Sequence, residues 1–401
     1  MRLGIIGLGR VAWLLEQDPL RAKPCTHLGA WQQWREVSLV AACDLDPERL
    51  TLFSSRYPEV RTYVDYREML AREGLDFLSI AAYADTRCDM VLAACEAGVR
   101  GVWCEKAMAT TVAEAQRMEL AVASSNTRLA VGFPRRWSPL YRWVAEQLQA
   151  GAFGTLESVN VHFSGNLAHT GTHAFDVLRM WCGEVHAVQG WLQQDSQDVV
   201  DSGYRYGVPS RVDRPAGRSS TLKSGLELAG GIEGRPVSRA REARTTPGED
   251  LGGFAVLDFA RGGRATIHAH AKGYFRFEFE LLTTHCMLRI GNTQAELWQS
   301  DASANFAGFR ELARRELPAL PGTNLFSALA QSLYQSVTGN SPELRGLSDG
   351  TVSPPVTPIA CTVVDGRKAL EIALAIHESH GHGHRPVAPA EVNPVLAVVS
   401  R

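Results

Sequence analysis

Apolar runs recur through the first third of the chain, at residues 2–7, 38–44, 60–63, 77–82, 101–104 and 128–133. Between them, residues 46–57, 67–73, 86–97 and 111–124 carry helical patterns. Near-continuous apolar strands alternating with helices predict a parallel sheet covered on both faces. The pattern changes after about residue 134. A helix is expected over 140–150 and a strand over 156–164, and residues 253–260, 264–271, 275–282, 286–290 and 296–299 then read as strands. Gly262-Gly263 supplies a hairpin turn between two of them. Alternation is clearest in Phe275-Arg276-Phe277-Glu278-Phe279-Glu280, so one face of that sheet is buried and the other polar. A last helix is expected over 366–377.

The first apolar run ends in a glycine turn, Gly7-Leu8-Gly9, followed by Arg10, Val11 and Ala12. That order suits a dinucleotide. One glycine makes the tight turn, the next lets the backbone approach a pyrophosphate, and small Ala12 permits close packing of strand and helix. A helix opening at this turn would direct N–H groups and a positive dipole end at the phosphates. The second strand ends in Asp44, followed by Leu45. A carboxylate there accepts hydrogen bonds from the ribose hydroxyls of NAD and repels the 2′-phosphate of NADP. Ala81, at the end of the fourth strand, falls on the same edge. Asp44 lies 35 residues after Gly9, where about 20 is usual. Residues 16–34, with two prolines, account for the excess and read as an insertion. It is expected to be a surface excursion, the alternative being a cover over the cleft with His27 and Trp31 reaching in. The fold class expected is α/β: a Rossmann doubly wound parallel sheet in residues 1–134, then an α+β domain with a large, mostly antiparallel sheet in residues 135–401.

Composition narrows the function classes. The chain has 401 residues, too many for one ordinary core. A net charge of −2 leaves no electrostatic footprint for nucleic acid or an anionic membrane. No apolar run reaches transmembrane length. Met1 leads straight into a strand without a basic leader, and none of the eight cysteines forms a CxxC pair. These features predict a cytoplasmic protein with reduced, mostly buried thiols.

The stretch GVWCEKAMA, residues 101–109, resembles the fifth strand of the Gfo/Idh/MocA oxidoreductases, the family of inositol dehydrogenases and glucose–fructose oxidoreductases. Its mark is Glu-Lys-Pro. Here Glu105 and Lys106 match and Ala107 replaces the proline, which in that family often forms a cis bond aiming the lysine at the nicotinamide. Residues 65–70, DYREML, resemble a family linker. Residues 166–183, NLAHTGTHAFDVLRMWCG, resemble its D-x-G-x-H-x-x-D segment at the substrate site: Gly171, His173 and Asp176 match, and His169 takes the place of the usual aspartate. The resemblance implies Lys106, His173 and His169 as catalytic residues. It also implies Glu105 beside the cofactor and Arg136, Trp137, Asn166 and Asp176 near the substrate. Chemistry supports the same roles. An ammonium at a strand end stabilises the alkoxide formed as hydride leaves, and a neutral imidazole takes the hydroxyl proton.

The expected function is hydride transfer between NAD and a hydroxyl or keto carbon of a sugar, sugar derivative or cyclitol. The alternatives are an NAD-retaining enzyme that uses transient oxidation for elimination or glycoside cleavage, and a non-catalytic cofactor-binding regulator. The resemblance further implies a homodimer or homotetramer built on the open face of the antiparallel sheet. His268 and His270 are expected on a solvated or interface face. The run from His377 to His384 is expected as a solvated helix end, and no metal site is expected. Residues 194–250 and 339–358 read as loops.

Overall fold

The computed structural model describes residues 1–193, 250–270, 274–341, 343 and 359–397. The loops expected over 194–250 and 339–358 lie almost wholly outside the described residues.

Six strands form the first sheet: β1 (Arg2–Ile6), β2 (Ser38–Cys43), β3 (Arg61–Tyr63), β4 (Phe77–Ile80), β5 (Gly101–Cys104) and β6 (Arg128–Val131). All pair in parallel, in the order β3-β2-β1-β4-β5-β6. Every residue of β4 and β5 is buried, as their unbroken apolar runs require. Its helices are α1 (His27–Trp31), α2 (Pro47–Arg56), α3 (Tyr66–Glu73), α4 (Ala84–Glu96) and α5 (Val112–Ala123). Their starts are written in the sequence. Asp46 caps α2 ahead of Pro47 and Asp65 caps α3, while Thr111 and Glu114 close a reciprocal capping box on α5. In such a sheet the strand order reverses between β1 and β4, and the crevice at their carboxyl ends is where ligands bind.

Next come α6 (Pro139–Gln149), β7 (Leu156–Ser164), α7 (Thr172–Cys182) and β8 (Val185–Leu192). Strands β9 (Gly252–Phe259), β10 (Arg264–His270), β11 (Phe277–Thr283), β12 (Cys286–Ile290), β13 (Ala295–Ala302) and β14 (Arg310–Arg315) follow, then α8 (Leu325–Thr338) and α9 (Val363–Gly381). The eight strands form one sheet, β14-β13-β12-β11-β7-β10-β9-β8, antiparallel except where β7 and β10 pair in parallel. Gly262 and Gly263, both at positive φ, make the expected hairpin between β9 and β10. Helix α9 packs on one face of this sheet at β8, and α7 packs on α9. At Gly190 of β8 a Cβ would stand 2.4 Å from the Ile376 carbonyl of α9, so glycine sets that close approach. On the other face, His268 stacks on His162 with ring centroids 4.5 Å apart. The described residues contain no helix long and apolar enough to cross a membrane. All eight cysteines are free thiols, seven of them buried.

Four expectations need correction. No α-helix opens at the glycine turn. Residues 9–13 form turns leading to a short 3-10 helix, Leu14–Gln17, and the carbonyls of Val11 and Ala12 accept from His27 and Leu28 instead of from the next helical turn. The insertion is not a surface excursion. Thr26, His27, Leu28, Ala30, Trp31 and Trp34 are buried, and the Trp31 indole N–H donates to Ser79 on β4. The strand containing Phe279 starts at Phe277, leaving Phe275 61% exposed. The histidine run is structural up to its exposed Gly381–Gly383 tip. His377 is buried, His380 Nδ1 accepts the Leu192 N–H, and His384 Nδ1 donates to the Gly190 carbonyl.

Candidate active site

The turn after β1 has the shape a dinucleotide needs. Gly7 sits at φ +86°, and a Cβ there would stand 2.6 Å from the backbone nitrogen of Ala82, next to Ala81. The space beside Gly9 is open, with only an Arg49 nitrogen at 4.0 Å from where a Cβ would stand. Ala12 is fully buried, whereas Arg10 is exposed and Leu45 is 76% exposed. Asp44 Oδ2 accepts the Leu8 N–H at 2.6 Å and Oδ1 accepts the Asp46 N–H at 2.9 Å. A carboxylate has about four lone-pair sites, so Asp44 fixes the turn and keeps capacity for ribose hydroxyls. The cradle therefore fits NAD. Gly7→Ala is expected to lower NAD affinity by tenfold or more, because the added methyl meets backbone at a φ that L-residues disfavour. Calorimetric titration with NAD checks this.

Lys106 leaves the carboxyl end of β5 buried, and its peptide bond to Ala107 is cis. The Lys106 Nζ lies 2.8 Å from His169 Nε2, 3.1 Å from Nδ1 and 3.4 Å from the His169 carbonyl. An ammonium has donors only, so His169 must be a neutral acceptor. His169 sits in a π-helical turn, Leu167–Gly171, whose start is capped by Asn166 Oδ1 accepting the His169 N–H at 2.9 Å. His173 follows in the first turn of α7, edge-on to Phe133 and Phe277 at 5.5 and 6.4 Å, and its buried Nδ1 has no partner among the described residues.

Burial pulls the Lys106 ammonium down to about 7, with Arg87 and Arg135 adding to the fall and Glu105 opposing it. The Lys106 charge, and then burial, hold His169 down to about 3. Burial, with Lys106, Arg135 and His169 nearby, keeps His173 well below the ordinary imidazole value. Lys106 is thus the group of this cluster that titrates near neutrality.

Residues 1–133 match the family described as an oxidoreductase family with an NAD-binding Rossmann fold, Gfo/Idh/MocA. The first third of the chain is thus similar to that family. D-apiose dehydrogenase of Paraburkholderia graminis is 33% identical over 176 residues, which are 40% of this chain and 47% of that protein. An inositol 2-dehydrogenase/D-chiro-inositol 3-dehydrogenase of Shouchella clausii is 31% identical over 203 residues, 50% of this chain and 55% of that one. The chain spans about half the length of these curated relatives. A solved scyllo-inositol dehydrogenase from Lactobacillus casei shares the fold over 98% of both chains, with a TM-score of 0.64 and 17% identity.

The remaining expected site residues separate into two groups. Glu105 stays with Lys106, and its Oε1 takes His27 Nε2 at 2.9 Å. Arg136 and Asp176 instead engage each other: Nη2 and Nε lie 2.9 and 3.0 Å from the carboxylate, and the same Nη2 donates to Asp365 at 3.1 Å. Trp137 is buried beside them at 2% exposure. Burial keeps the Asp176 carboxyl above its ordinary value despite Arg136. Arg136→Met would strand Asp176 and is expected to cost about 3–5 kcal/mol. The loss deepens as pH rises, because an unpaired buried carboxyl escapes part of its cost by staying protonated. Urea unfolding at pH 5 and pH 8 measures it.

Two further contributors lie outside the motifs that carry the resemblance. His27 comes from the insertion. Buried Asp250 accepts the N–H groups of Leu167, Ala168 and Gly252 at 3.1, 2.8 and 3.1 Å, and so holds the turn that carries His169. Its Oδ2 lies 3.5 Å from His377 Nε2.

Proposed function

We propose that this chain is an NAD-dependent dehydrogenase acting on a CH–OH group of a sugar, sugar derivative or cyclitol. The observation that carries the reading is a buried Lys106, brought to about 7 at the carboxyl end of β5 and held against a neutral His169. Gly7 to Ala12 would hold the pyrophosphate, Asp44 the adenosine ribose, and Glu105 and Lys106 the nicotinamide end. NAD supplies the hydride acceptor. Neutral Lys106 takes the proton of the substrate hydroxyl as hydride leaves the same carbon, and its ammonium returns that proton in the reverse direction. His173, far less basic, hydrogen-bonds the hydroxyl and orients it, while His169 fixes the lysine. A base matched to the operating pH is the more effective one, so the proton passes to Lys106 and not to His173.

The test is direct. Purified protein with NAD should raise NADH absorbance on at least one member of a broad panel of sugars, sugar acids and cyclitols. Tight NAD binding without NADH formation on any member would overturn the assignment. The outward face of the eight-stranded sheet, with His162, His268 and Phe254, is the surface on which a homodimer or homotetramer would form, and sedimentation velocity tests that assembly.

A further inference from the structure

We infer that the substrate carries an anionic group, a carboxylate or phosphate, seated on Arg135. This deepens the dehydrogenase reading above and rests on it. The sequence reading places Arg136, not Arg135, near the substrate, and the fold gives the two adjacent arginines opposite tasks. The guanidinium of Arg136 is consumed by Asp176 and Asp365. Arg135, half-buried in the 3-10 turn Pro134–Trp137, makes no ion pair among the described residues, and its guanidinium carbon lies 3.8 Å over the Phe277 ring. The same ring meets His173 edge-on at 6.4 Å. Arg135 and His173 are therefore no farther apart than those two distances combined, the span of a six-carbon sugar acid.

The charges around the cleft point the same way. Lys106 feels the charges of both Arg135 and buried Arg87, whose guanidinium donates to the carbonyls of Ala107 and Ala82 and to no carboxylate among the described residues. Against these cations stands Glu105, and one of its oxygens is taken by His27. His169 and His173 are neutral. The oxidised nicotinamide ring, when bound, carries a further positive charge. A cleft with uncompensated buried cations is costly until an anion enters it, and the planar guanidinium fork matches a carboxylate or phosphate with two parallel hydrogen bonds. A neutral polyol would leave Arg135 without a counter-charge.

The experiment uses matched substrates: a neutral aldose or cyclitol, the uronic or aldonic acid of the same stereochemistry, and its phosphate ester. With NAD and the full chain, kcat/KM for one anionic member should exceed that of its neutral counterpart by at least tenfold. The ratio should shrink as ionic strength rises. Whichever anionic arm leads identifies the group. Arg135→Gln should bring the ratio toward one, whereas Arg135→Lys should keep part of it, and thermal melts establish that both variants fold. Equal turnover of neutral and anionic members overturns the inference and leaves the dehydrogenase assignment standing. If no member reduces NAD, the dehydrogenase assignment fails on its own, and calorimetric binding of the sugar acid decides the inference separately: binding lost in Arg135→Gln supports it, and no binding overturns it.

Discussion

Replacing Lys106 with methionine is expected to lower kcat for alcohol oxidation by about 10²–10⁴-fold, the usual contribution of a positioned acid–base group, while NAD still binds. The pH profile ties the loss to proton transfer. With its pKa at about 7, the wild-type lysine is protonated below that point and cannot accept the hydroxyl proton. Oxidation should therefore rise tenfold per pH unit up to about 7 and then level, and ketone reduction should fall above the same point. Lys106→Met removes the inflection. Lys106→Arg keeps the charge, cannot deprotonate, and should be equally slow in oxidation across the whole range. Stability should move the other way. A lysine that unfolds to its ordinary value near 10.5 but folds to about 7 binds fewer protons when folded, so its burial destabilises the wild type most at and below pH 7. The methionine variant is expected to melt higher than the wild type at pH 7, with the difference closing as pH climbs toward 10. An inactive variant that also melted lower at pH 7 would mean that Lys106 holds the fold rather than the chemistry.

Much of this site is legible in the sequence. Unbroken apolar runs at β4 and β5 can be accommodated only in a sheet covered on both faces, and the GLG turn with Asp44 marks which edge of that sheet faces a ligand. The pairing of Asp44 with the Leu8 N–H shows why turn and carboxylate stay linked although 35 residues separate Gly9 from Asp44. Other features were hidden for physical reasons. Strand β14, RELARR, has no apolar alternation because it is a largely exposed edge strand. Helix α8 does carry a readable signal, apolar positions at helical spacing in Phe326, Leu329, Ala330, Leu333 and Tyr334, beyond the elements expected above. It packs back on the first sheet, with Tyr334 stacked on Phe77. In the insertion, two prolines and scattered polar residues mask an apolar set: Trp31 and Trp34 join the core that holds Phe77 and Trp103, and Leu28 packs with Ile5, Leu8 and Phe53. The choice between Arg135 and Arg136 cannot be read locally, since a 3-10 turn rotates about 120° per residue and sends neighbours in different directions.

That insertion carries the second large effect. His27 is fully buried, stacks on Trp103 at 3.8 Å, and binds Glu105 Oε1 at 2.9 Å. Burial alone would raise the Glu105 carboxyl, but the His27 contact and the neighbouring cations bring it below its ordinary value. His27→Phe keeps the stacking ring and removes the donor, leaving a buried carboxylate short of its partner. The expected cost is about 3 kcal/mol at pH 7. The sign with pH follows from the direction of the shift. A carboxyl depressed in the folded state adds stability above its unfolded value, and that stability is lost as pH falls through the folded value. The gap between wild type and His27→Phe should therefore be widest at neutral pH and close on acidification below about 4. His27→Gln, which restores an N–H donor, should recover part of it. The effect should also reach the chemistry. As Glu105 becomes easier to protonate it supports the Lys106 ammonium less, so the inflection in the oxidation profile should move below 7. Urea unfolding at pH 7 and pH 4, together with the pH–rate profile of the same variant, tests both halves. Unchanged stability at pH 7 would mean that Glu105 draws its support from Lys106 and Arg87 alone, and that the insertion contributes packing without charge.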